Sequence, residues 1–77
     1  MNAERRKKLA EAAASLATAE SLLEEARDEE QDCLDNMPEG FQNGEKGEEA
    51  RFAIDAMDEA IQYVDAAASS VETAGES

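Results

Sequence analysis

Histidine and tryptophan are missing from this 77-residue chain, and cysteine, proline and tyrosine each occur once. Each scarcity removes a class of explanation. Without histidine the commonest general base and transition-metal ligand is gone, and the Glu-x-x-His pairs of di-iron carboxylate bundles cannot be built. A lone cysteine, Cys33, cannot close an internal disulfide, which points to a reducing, cytoplasmic setting. No apolar run approaches the ~18 residues of a membrane span, and the first residues carry no signal-like apolar block. Basic residues are also few, 7 against 20 acidic ones, for a formal charge of −13. Such a surface repels phosphate backbones and anionic lipid, so neither nucleic acid nor membrane is expected as a direct partner. A basic protein surface is.

The charge that is present is unevenly spread. Arg5, Arg6, Lys7 and Lys8 hold more than half of the positive charge, and from Leu9 onward 19 acidic residues oppose only Arg27, Lys46 and Arg51. The densest acidic stretch is 24–35, with Glu30 and a candidate partner-binding set of Glu24, Glu25, Asp28, Glu29, Asp32 and Asp35. Acid–base chemistry needs walls that drive two carboxyl pKa values apart, and two paired helices offer no cleft for that. No enzymatic activity and no cofactor are therefore expected. Carboxylates four apart, such as Glu24 and Asp28, suit a hard cation. Residues 32–36 lack the alternating ligands of a calcium loop, however, and no metal site is expected.

Helix formers dominate the remainder. Between Ala3 and Leu34 no glycine or proline interrupts the chain, and Asn2 is a fitting N-cap. Leu9, Leu16 and Leu23 recur every seven residues, as do Ala12, Ala19, Ala26 and Cys33, so a leucine row and an alanine row form one seam. Cys33 is expected in that seam as a small buried residue, and Glu30 falls in the next leucine slot, where it weakens the contact. In the second helical stretch Ala50, Met57, Val64 and Val71 form a central row. Rows Ala53/Ala60/Ala67/Ala74 and Ile54/Ile61/Ala68 flank it. Across that helix runs a thinner line of Phe52, Ala56, Tyr63 and Ala66, the expected oligomer interface. The predicted fold is all-α: one domain over 1–77, an antiparallel two-helix hairpin with an alanine/leucine seam. Its helices cover about 3–35 and 45–73, with a loop at 36–44 and a fraying tail at 74–77. A core so rich in alanine buries little area, and a homodimer forming a four-helix bundle is expected to complete it.

Pro38, Gly40 and Gly44 break the helical pattern between the two stretches. Met37 and Phe41 are expected to fold back over the end of the helix pair, and Gly47, seven before Ile54, allows close backbone approach. The loop also carries a resemblance. Asp28-Glu29-Glu30-Gln31, Asp35-Asn36-Met37-Pro38-Glu39-Gly40-Phe41-Gln42 and Gly47-Glu48 resemble a DEEQ…DN[LM]PE..Q.SE.GE signature in a family of small phage and prophage proteins. The sequence departs from it at Gly44, where the family places a serine able to cap the helix; Asn43 is the candidate substitute. The resemblance implies a mobile-element origin and no reaction. Separately, because loops set on rigid helices often carry function, Asn36, Pro38, Glu39, Phe41 and Gln42 are loop recognition candidates, although Pro38 and Gly40 also suffice simply to make the turn.

Two functions lead on these grounds, ahead of a small-ligand sponge whose oligomer interface traps a nucleotide with Arg51 or the 5–8 block, against which the few basic residues argue. In the first, the 24–35 ridge binds a basic host or defence protein as an inhibitor or adaptor, in the manner of a nucleic-acid charge mimic, in the host cytoplasm. The alternative is a structural protein with no charge-directed partner, held by apolar, salt-insensitive contacts through Phe52 and Tyr63.

Overall fold

A computed structural model describes residues 1–76; Ser77, the end of the expected tail, lies outside the described residues. The chain is all-helical there, a long extended helix pair measuring 58 × 14 × 12 Å. Helix α1 spans Ala3–Asp35, a one-turn helix α2 spans Glu39–Gln42, and α3 spans Glu45–Gly75.

Local chemistry explains each boundary. Asn2 is extended (φ −78°, ψ 166°), and its Oδ1 accepts the Arg5 backbone N–H at 2.9 Å, satisfying one of the orphan donors that open a helix. At the other end of α1 the Asn36 side chain donates to the Asp32 carbonyl at 2.8 Å, and the Met37 N–H reaches the Leu34 carbonyl. Pro38 (φ −56°, ψ 147°) then stops the helix, having no N–H to continue it. Its carbonyl accepts from the N–H groups of Phe41 and Gln42, so the segment read as an irregular loop contains the single turn α2. Gly44 is the N-cap of α3 and supplies no side-chain bond, while Asn43 closes α2. The expectation that Asn43 would cap α3 is therefore corrected. α3 runs through Ala74 to Gly75, past the expected end at 73.

The corner between the long helices is fastened by Gln42. Its Nε2 donates to the carbonyls of Leu34 (3.0 Å), Met37 (3.1 Å) and Asp35 (3.4 Å), at and just beyond the end of α1, where intrahelical donors run out. Its own carbonyl accepts from Arg51 Nη1 at 2.8 Å. Against this residue lies Gly47, buried, where a Cβ would run into the Gln42 backbone. Absence of a side chain at Gly47 is what lets α3 start against the corner.

The core is small. Leu34, Ala50 and Ile54 are its buried hydrophobics, with Met37 packed on them. All three α3 rows face inward or half-inward, from Gly47, Ala50 and Ile54 through Met57, Ile61 and Val64 to Val71 and Ala74. On α1, Leu9, Leu16 and Leu23 are half-buried, as is Glu30 in the leucine slot. The alanine row behaves differently: Ala12 and Ala19 are half-buried, but Ala26 and Cys33 are exposed. A straight α-helix drifts ~20° per heptad against a 3.5-residue repeat, about 60° over the three heptads from Ala12 to Cys33. The row rotates out of the seam, and Arg27 and Leu34 take its place. Cys33 is thus not the buried core residue expected. Phe41 is likewise exposed instead of covering the corner; Met37 alone does so.

Gly47→Ala is expected to destabilise the protein by about 2–3 kcal/mol, since the added methyl meets backbone that cannot move aside. Gln42→Met, which keeps the bulk but removes the donor, should cost about 1–2 kcal/mol. Thermal and urea unfolding followed by circular dichroism checks both; a Gly47→Ala protein as stable as the parent would show that the corner is not the constraint.

Candidate functional site

Helical geometry sets where the acidic residues project. At ~100° per residue, Glu24, Glu25, Asp28, Glu29, Asp32 and Asp35 fall within an arc of roughly 140° on the side of α1 turned from α3. Five of them are exposed, and Glu24 is half-buried. Two have local partners. Asp28 pairs with Arg27 Nη2 at 3.1 Å, and the Asp35 Oδ1 accepts from Gln31 Nε2 at 3.0 Å. The carboxylates of Glu25, Glu29 and Asp32 make no hydrogen bond or ion pair among the described residues.

Arg27 is the one cation in this stretch, and its place was not legible in the sequence. Nη1 reaches Asp58 of α3 at 3.2 Å, while Nε and Nη2 hold Asp28. The guanidinium pKa is raised above its ordinary value, first by the hydrogen bond to Asp58 and then by that to Asp28. Arg27 thereby ties α1 to α3 along one flank and leaves the outer carboxylates uncompensated. An isolated cation within an acidic run was the only available signal for this.

The loop candidates divide. Asn36, Pro38 and Gln42 are occupied in building the corner, whereas Glu39 and Phe41 face outward. On the outer side of α3, Phe52 is 77 % exposed and Tyr63 66 % exposed, with Ala56 and Ala66 also exposed. The Tyr63 hydroxyl donates to Glu59 Oε1 at 2.9 Å. Far from the corner, a shallow apolar groove of about 440 Å³ lies between Leu9, Ala10 and Ala13 of α1 and Ala68 and Val71 of α3, with Arg6 and Glu72 at its rim. Arg5, Arg6, Lys7 and Lys8 are all exposed. Among the described residues no cluster of three or more acidic or cysteine side chains is placed to hold a metal ion. No helix there is long and apolar enough to cross a membrane.

What this arrangement can do is electrostatic. Segment 24–35 covers about 18 Å of helix axis, and its seven carboxylates against Arg27 leave one net negative charge per roughly 3 Å. A single DNA strand carries one per ~3.4 Å. Comparison with protein-family models, with curated proteins and with solved structures gives no match to this chain.

Repulsion along the ridge opposes the fold and is screened by salt. Raising ionic strength from about 0.01 M to about 1 M shortens the Debye length from ~30 Å to ~3 Å, and Tm is expected to rise by several degrees. A falling Tm would mean that ion pairs such as Arg27–Asp58 outweigh the repulsion.

Proposed function

We propose that this chain is a non-enzymatic adaptor or inhibitor of mobile-element origin whose α1 ridge binds the basic surface of a host or defence protein. The observation that carries this reading is the set of Glu25, Glu29 and Asp32: exposed, without partners, and spaced about 4.5–6 Å apart along the axis of one long helix. A rigid row of charges is presented without further ordering, which lowers the entropy cost of association. Linear charge density close to that of a DNA strand favours a partner whose basic surface ordinarily meets nucleic acid. The phage-like signature 28–48 supports the origin and leaves the partner open. Encounter is steered by charge, and affinity falls as salt rises.

The proposed architecture behind the ridge is an antiparallel helical hairpin. Supporting contacts run from Leu34 with Ala50 and Ile54, through Arg27 with Asp58, to the groove shared by Leu9 and Val71. A second reading, self-association into a structural assembly, is favoured by the core itself. Three buried hydrophobics are far fewer than a domain of this length needs to stand alone.

Immobilised protein is expected to retain a basic protein from host lysate at low salt and release it at high salt. Changing Glu25, Asp28, Glu29 and Asp32 together to Lys should abolish retention while circular dichroism still reports the helices. Retention that survives the four reversals would remove the ridge from the reading, and loss on changing Phe52 and Tyr63 instead would support the structural alternative.

A further inference from the structure

We propose that a second copy of this chain docks antiparallel along the flank of α1 that carries Lys8, Ser15, Leu22 and Glu29, closing the core that the helix pair leaves open. The inference rests on the self-association reading above and names its surface. Lys8, Ser15, Leu22 and Glu29 are spaced seven apart, and Arg5, Ala12, Ala19 and Ala26 form a companion row on the side nearer α3, where Ala12 and Ala19 are already half-buried. Together they alternate at three and four residues, the spacing of a coiled-coil seam. Five of the eight are small or apolar, and Leu22 stands 60 % exposed in the middle. Leu22 lies about 140° around α1 from Arg27 at ~100° per residue. The Leu22 row is therefore on the flank away from the Arg27–Asp58 pair, where no ion pair joins the helices among the described residues.

Charge identifies the occupant. The seam is positive at one end (Arg5, Lys8) and negative at the other (Glu29), and nearly neutral between. A two-fold axis midway between Thr18 and Ala19 sets Lys8 of each copy against Glu29 of the other, and Ser15 against Leu22. Both pairings share that one midpoint, so the Lys8–Glu29 row is self-complementary, as a two-fold dimer requires. The whole basic tetrad 5–8 then registers on 29–32. The outer line of Phe52 and Tyr63 is less suited to a second copy. Glu48, Asp55 and Glu59 are exposed around it, and the nearby Arg51 is already engaged by Gln42. Because Glu29 also belongs to the ridge, a second copy and a basic partner compete for it.

Sedimentation equilibrium of the full chain tests this. The parent is expected to be dimeric at micromolar concentration. Lys8→Glu or Glu29→Lys alone opposes like charges at two symmetric places and should raise the dimer dissociation constant on the order of tenfold. The double variant restores opposite charges and should return it near the parent value. Leu22→Glu should yield a folded monomer. A parent that stays monomeric overturns both self-association and its proposed surface. A dimer indifferent to the Lys8 and Glu29 changes but broken by Phe52→Glu overturns the surface alone.

Discussion

Everything about the relative placement of the long helices follows from the contact between Gln42 and Gly47. One side chain collects three carbonyls at the end of α1, and the same residue's backbone abuts a position on α3 that tolerates no Cβ. The first interaction ends α1 and the second fixes where α3 may begin. Register along the remaining length is then inherited: Leu34 must meet Ala50 and Ile54, and Arg27 must come within reach of Asp58. A shift of one residue at the corner would rotate every row of α3 by ~100° and turn alanines toward water.

With that register set, the helix pair is narrow, and narrowness has a cost. Two helices in contact bury one stripe each, and the alanines along the α3 stripe remove area that leucine would have supplied. Close approach of the backbones is the compensating gain, through denser van der Waals contact. Only the end near the corner gathers enough neighbours to bury side chains, Leu34, Ala50 and Ile54. Elsewhere the inward residues remain half-exposed, and this is the physical reason for expecting another surface, a second copy or a partner, to complete the molecule.

Sequence periodicity made much of this legible. The three rows of α3 face α1 because all of them carry the same signal over four heptads, and Asn2 and Pro38 mark the limits of α1 unambiguously. The alanine row of α1 was misread at Ala26 and Cys33. A row of small residues constrains supercoiling weakly, so the helix stays straight and the row drifts away. Tertiary hydrogen bonds were not legible at all. That Gln42 would turn back onto Leu34 and Met37, or that Arg27 would cross to Asp58, depends on the angle of the corner, which no local pattern encodes. The ridge lies between these cases. Its exposure follows from helical geometry, but which carboxylates are left without partners emerges only with Arg27 and Gln31 in place.

The same carboxylates that make the ridge attractive to a cationic surface make the isolated chain unfavourable to itself. Charges packed at i, i+3 and i, i+4 repel within α1, and two such molecules repel each other over a Debye length of ~8–10 Å at ordinary salt. Net charge therefore argues against association, while the unfinished core argues for it. Both demands are met where charge of opposite sign sits on the same helix as the acidic run. α1 alone has that asymmetry, with its tetrad of Arg5 to Lys8 about 30 Å from Glu29 along the axis. α3 has no comparable cationic end, its basic residues Lys46 and Arg51 lying close to the corner among Glu45, Glu48 and Glu49. Separation of charge along α1, more than the total, thus determines what this surface can meet: a cationic partner at one end, or its own inverted image along the whole length.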